Sequence, residues 1–162
     1  MAKKKPITTN AMRILAKSKI DYELIEYDAG GEVGDNFGVK IAELCGFDPA
    51  VSLKTLVLRG KSNIYVACIP CMSEVDLKKL ALLCGEKKVE MIHVRELLDL
   101  TGYIRGGVTP IGMKRKYRTF IDKSVENAKT IAVSGGICGA ALRLSPGDLI
   151  KASDGEFADI IS

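Results

Sequence analysis

The chain has 162 residues, 47% of them apolar and 27% charged, with a formal net charge of +4. That length suffices for one domain with a real core, expected here over residues 1–162. The apolar share excludes a chain disordered by composition, no apolar run reaches a membrane span, and the charge is too mild to define a partner, so its placement matters more than its size.

In chain order, "MAKKKPITTN" is basic without the apolar stretch of a signal peptide, which points to a cytoplasmic protein. "TNAMRILAKSKI" predicts a helix capped by Thr9 or Asn10, with Met12, Leu15 and Ala16 on one face. "YELIEY" (22–27) alternates as a strand does. "NFGVKIAELCG" (36–46) predicts a helix starting at Asn36 and stopping at Gly46. "SLKTLVLRG" and "NIYVACIP" predict a hairpin about the turn "GKSN". "SEVDLKKLALLCG" (73–85) is the clearest helix: Ser73 and Asp76 resemble a capping box, Leu77, Leu80, Ala81 and Cys84 form a face, and Gly85 ends it.

A short helix, "VRELLDLTG", leads into "TGYIRGGVTPIG" (101–112). Strands at "RTFID", "TIAVSGG" and "ALRLS" follow, and "PGDLIKASDGEFADII" closes the chain with a helical turn or two. Helices and strands mix without strict βαβ alternation, which predicts an α+β fold rather than a doubly wound sheet.

Four features are candidates for chemistry. The five cysteines are odd in number and scattered, as free thiols of a reducing compartment are. Two of them form "CIPC", Cys68 and Cys71, between a strand and a helix, where a redox pair gains thiolate stabilisation. The plainer reading is that they fill the strand end as small apolar groups. No second cysteine pair supplies four metal ligands, and the only histidine, His93, is far along the chain.

Lys54 shares a face with Leu56 and Leu58, while Leu53, Thr55 and Val57 take the other, so its strand reads as central. The lysine there either snorkels from the strand end or is held to grip a phosphate or an ester carbonyl. The third feature, "TGYIRGGVTPIG", is neither a dinucleotide fingerprint nor a Walker loop. Its four glycines and Pro110 suggest a small-residue wall that lets a ligand touch backbone, against the alternative of a plain turn cluster. "VSGGICG" (133–139) is a second glycine-paired strand end, where Ser134 offers a hydroxyl or merely caps a turn. The fourth is Arg105 with Lys114, Arg115, Lys116 and Arg118, interleaved with Tyr103 and Tyr117. These suit RNA phosphates, unless they are only a solvated face.

"KTLVL", "EVDLKKLA", "KKVEM", "TGYIRGGVTPIG", "FID" and "VSGG", in this order and spacing, resemble the YbaK/EbsC family, close to its Cys-tRNA(Pro) deacylase branch. The resemblance implies an α+β fold with a mixed, partly barrel-like sheet flanked by helices. It also implies editing in trans, with removal of mischarged cysteine from tRNA(Pro), and also from tRNA(Cys). No metal or cofactor is implied; prolyl-tRNA synthetase is the implied partner. Carried over residue by residue, Lys54 and Gly106 become the catalytic positions, and Tyr27 and Ser134 substrate-binding. Gly107, Pro110 and Gly135, in the same two glycine stretches, are expected to bind substrate as well, and Arg105, Lys114, Arg115 and Lys116 to bind RNA.

This chain departs from the family in places. Ala141 stands seven positions after Ser134, where some members are acidic, and Arg105 stands where the family is often apolar. No nucleophile–base pair is evident. The resemblance implies instead that the cysteinyl thiol attacks its own ester. The competing readings are a deacylase for alanine or serine, a non-catalytic module that binds tRNA or a synthetase, and a thiol oxidoreductase using Cys68 and Cys71.

Overall fold

The computed structural model describes residues 8–28 and 37–162. Helix α1 (Asn10–Lys17) starts on Thr9, whose side chain accepts from the Met12 N–H. It buries Ala11, Met12 and Leu15. Ala16, expected on that face, is exposed instead, because the stripe is set by the 11–12–15 spacing. Helix α2 (Phe37–Cys45) follows; Asn36, its expected start, lies outside the described residues.

The strands form two sheets. The smaller one joins β1 (Glu23–Glu26), β7 (Ala140–Leu144) and β6 (Ile131–Ser134), all antiparallel, with Glu23 opposite Arg143 and Ile131 opposite Leu144. The larger has the order β4-β2-β3-β5-β8. Its hairpin, β2 (Leu53–Arg59) and β3 (Ile64–Pro70), pairs Leu53 with Pro70 at one end and Arg59 with Ile64 at the other. β3 runs parallel to β5 (Arg118–Asp122), and β5 parallel to β8 (Glu156–Ala158). β4 (Glu90–Met91) touches only the far end of β2. A single parallel bridge, Ser52 to Ala132, links the two sheets, and no closed barrel forms among the described residues.

The alternation along the larger sheet builds one apolar layer on each side. Leu53, Val66, Cys68 and Ile121 face α1, the smaller sheet and α5 (Pro146–Ser153). Leu58, Tyr65, Ala67, Ile69 and Phe120 face α3 (Leu77–Cys84), with Leu80, Ala81 and Ile160. Helix α3 begins at Leu77 rather than 73. Asp76 is its cap, accepting from the Lys78 and Lys79 N–H groups, and Ser73 takes no part in the start. The short helix before the glycine loop is a 3₁₀ turn, Val94–Glu96, running into α4 (Leu97–Thr101). The closing segment is α5 followed by β8, a strand that the expected helical turns did not include.

β2 is not central along its whole length. β4 pairs it only at Leu58 and Arg59, so the outer edge of its first half carries no ladder. That open edge sits beside β6, and it is where Lys54 lies.

Candidate active site

A cavity of about 610 Å³ opens against this edge. Ser52 through Val57 all line it without a gap. Side chains alone would contribute every second residue; an unbroken run means that the strand edge itself forms the wall. Val133, Ser134 and Ala141 from the smaller sheet form a second wall, with Tyr27 at the end of β1. Phe37, Gly38 and Ile41 of α2 and Ile92, Val94 and Leu97 around α4 supply apolar sides.

The third wall is the glycine loop. Ile104 to Gly107 make a turn closed by the Gly107 N–H donating to the Ile104 carbonyl at 2.9 Å. Gly106 stands at its third position with φ +91°, the sign a type II turn demands and a side chain resists. Lacking a side chain, Gly106 meets the cavity with backbone, and among the described residues nothing accepts from its N–H. Gly107 has a different reason to be glycine. A Cβ there would stand 2.9 Å from the Ile137 Cα and 3.2 Å from the Gly136 carbonyl carbon, so it holds the loop against the 134–139 turn. Tyr103 pins the loop from inside, its hydroxyl donating to the Ile111 carbonyl at 2.7 Å. Burial pushes its phenol up to about 12.

The structure thus brings Lys54, Gly106, Tyr27, Ser134 and Arg105 to one cavity. Lys54 is half-buried. Tyr27 continues the β1–β7 pairing, its N–H donating to the Gly139 carbonyl at 2.9 Å, and burial raises its phenol above the ordinary range. The Ser134 hydroxyl accepts from the Gly136 N–H at 3.2 Å, so it caps a turn as well as lining the cavity. Gly107, Pro110 and Gly135 do not line it. Gly107 and Pro110 are buried, and Gly135 packs on Ala140, whose carbonyl accepts the Gly135 N–H at 2.8 Å.

Lys114, Arg115 and Lys116 lie elsewhere. They line a second cavity of about 470 Å³ with Pro110, Gly112, Lys151 and Asp154, on the far side of the same loop. Lys116 pairs with Asp154 at 2.7 Å, an exposed contact of little energetic weight. Tyr103 and Tyr117 are not free rings among the cations: Tyr117 donates to the Leu100 carbonyl of α4 at 2.6 Å, and Tyr103 fastens loop backbone at Ile111.

The cysteines separate. Cys68 is fully buried in the core beside Thr55, and burial pushes its thiol up to about 12. Cys71 lines the cavity, its thiol raised by burial while the nearby Lys54 charge pulls the other way. Both shifts oppose thiolate formation, and α3 begins six residues beyond Cys71, so no helix start stabilises either sulfur. All five thiols are free, and no cluster of potential metal ligands occurs among the described residues. His93 is exposed and does not line the cavity; its backbone N–H donates to Glu96, which pairs with Arg59.

Of the lining residues that sequence reasoning does not single out as wall residues, Cys71 and Glu74 bring titratable side chains. Their signal is the hairpin register: Leu53 opposite Pro70 puts whatever follows β3 next to Lys54.

Residues 38–152 match the family profile of the aminoacyl-tRNA editing domain. A protein of Enterococcus faecalis, EbsC, provisionally named a Cys-tRNA(Pro)/Cys-tRNA(Cys) deacylase, is 41% identical over 99% of this chain and 98% of its own length. A proline–tRNA ligase of Thermosipho africanus is 26% identical over 59% of this chain, which amounts to 17% of the ligase. Among solved structures, one described as a candidate trans-editing enzyme for prolyl tRNA synthetase superposes with a TM-score of 0.82, at 21% identity, covering 97% of this chain and 99% of that one.

Proposed function

We propose an activity for this chain from one premise: it belongs to the aminoacyl-tRNA editing domain family. The activity is that of a deacylase acting in trans, cleaving the ester of cysteine mischarged on tRNA(Pro), and also that on tRNA(Cys). The observation that carries this reading is a cavity that joins a half-buried lysine to exposed loop backbone and holds no nucleophile–base pair among its described lining. Its one thiol, Cys71, is shifted toward the protonated form, and its one serine hydroxyl near the loop accepts a backbone N–H. The near-full-length likeness to EbsC supports the choice of cysteinyl cargo.

Such a site suits a substrate that brings its own nucleophile. The cysteinyl sulfur attacks the ester carbonyl, a C–S bond forms, and the C–O bond to the ribose breaks. The thiol proton ends on the ribose oxygen, and the cargo leaves as a cyclic thioester that water then opens. An attack within one molecule gains a large effective molarity, so the protein need mainly orient and stabilise. The Gly106 backbone holds the carbonyl and the charge developing on its oxygen. Lys54 grips the terminal ribose or phosphate as a point charge. Arg105 meets the incoming phosphates at the mouth, and Lys114, Arg115 and Lys116 meet the RNA beyond the loop. Prolyl-tRNA synthetase is the proposed partner, since a segment of such a ligase resembles this chain; the cytoplasm is the proposed compartment.

A panel of tRNAs charged with cysteine, serine, alanine and proline tests the proposal by single-turnover deacylation. Fast release of cysteine alone is the expected result. Equal release of serine or alanine would move the assignment to another small cargo, and tight binding with no release would make the chain a binding module.

A further inference from the structure

Resting on the deacylase reading, we propose that Glu74 is the residue that recognises the α-ammonium of the aminoacyl cargo. An aminoacyl ester separates its charges. Phosphates lie on the ribose side of the ester, and one cationic ammonium lies a single carbon beyond the carbonyl. A cavity that holds this molecule in one orientation needs cations for the first and an anion for the second. The lining has both: Lys54 and Arg105 are its cations, and Glu74 is its only carboxylate among the described residues.

The register explains how Glu74 reaches the site. β3 ends at Pro70 opposite Leu53, so the segment leaving β3 runs past the start of β2. Cys71 on that segment feels the Lys54 charge, and Glu74 lies three residues further on, lining the same cavity. Its backbone is tied down: the Ser162 N–H donates to the Glu74 carbonyl at 3.1 Å, and Val75 bridges Ile161. Its carboxylate, by contrast, enters no ion pair or hydrogen bond among the described residues, although two cations share its cavity. Glu74 is exposed, so this unspent carboxylate stands at the cavity's solvent side, where an incoming cationic group meets it. The smaller-sheet wall offers no rival anion: Ala132 and Ala141 are methyl groups, and Tyr27 and Ser134 bring only neutral hydroxyls, that of Ser134 already accepting from the Gly136 N–H.

The test compares two esters on tRNA(Pro). Cysteinyl-tRNA carries the ammonium; 3-mercaptopropionyl-tRNA has the same thiol and ester without it. With each rate taken relative to the same ester's uncatalysed cleavage, wild-type protein is expected to favour the cysteinyl ester in kcat/KM by about tenfold, and Glu74→Gln to bring that ratio close to one, mainly through KM. Glu74→Gln that keeps the wild-type ratio, or a wild type with no preference, overturns the assignment while leaving the deacylase intact. Wild-type protein inert toward both esters overturns the deacylase reading itself.

Discussion

Lys54 sits one residue into a strand whose outer edge is open, which is why a cation can stand half-buried there. The alternation of "SLKTLVL" marks it as unusual, and the motif around it points to the site. The reason for its placement is not legible in the sequence, because a two-residue β4 that leaves the edge free depends on chain far downstream. Lys54→Ala is expected to fold normally and to lower the single-turnover rate on cysteinyl-tRNA roughly 100-fold, as loss of a group that orients the reacting ester does. Circular dichroism alongside the rate separates that outcome from unfolding. Glu74 is illegible for a related reason: nothing in "CMSEVDL" distinguishes a cavity carboxylate from the helix cap two residues later, Asp76.

At the scale of the element, the glycine loop does two jobs with adjacent residues. Gly106 takes a positive φ to present backbone, while Gly107 allows backbone to pack on backbone at Ile137. The glycine spacing suggests one wall; the structure divides it, and Pro110 and Gly107 turn inward as its support. Gly107→Ala forces Ile137 or the loop to move, and about 2 kcal/mol of stability is expected to disappear in denaturant unfolding, with activity falling in parallel. The loop's anchor and the core thiol also set an alkaline limit. Tyr103 and Cys68 both keep their protons in the fold up to about 12, above the ordinary 10 and 9. Between those values the unfolded chain binds fewer protons than the folded one, so stability falls as pH rises. Denaturant midpoints at about pH 8 and about pH 11 are expected to differ, and Tyr103→Phe to narrow the gap.

For the whole molecule, the mixture of helices and strands makes the α+β class legible, and the hairpin, α3 and the strands of the smaller sheet are readable from alternation and caps. β8 is not: "EFA" is three residues, and only its parallel pairing with β5 makes it a strand. The distribution of cations is hidden for the same reason. Arg105 and Lys114 are close in sequence, but the loop between them is a partition, with the cavity on one side and the basic cluster on the other. On the proposed reading, the cluster holds RNA away from the reacting ester. Replacing Lys114, Arg115 and Lys116 with alanine is therefore expected to weaken tRNA binding and to flatten its salt dependence, by about 0.7–0.9 in slope for each phosphate that is no longer neutralised. Single-turnover cleavage at saturating protein is expected to stay near wild type.

The proposed mechanism depends on the cargo supplying the attacking atom. Cysteinyl-tRNA and S-methylcysteinyl-tRNA, compared in single turnover, address that point directly, since the methyl group removes the nucleophile and keeps the ester. The expected result is that methylation leaves binding in place and slows release by more than about 100-fold. Release of the methylated cargo at a similar rate would mean that water attacks the carbonyl and that this cavity works as a hydrolase.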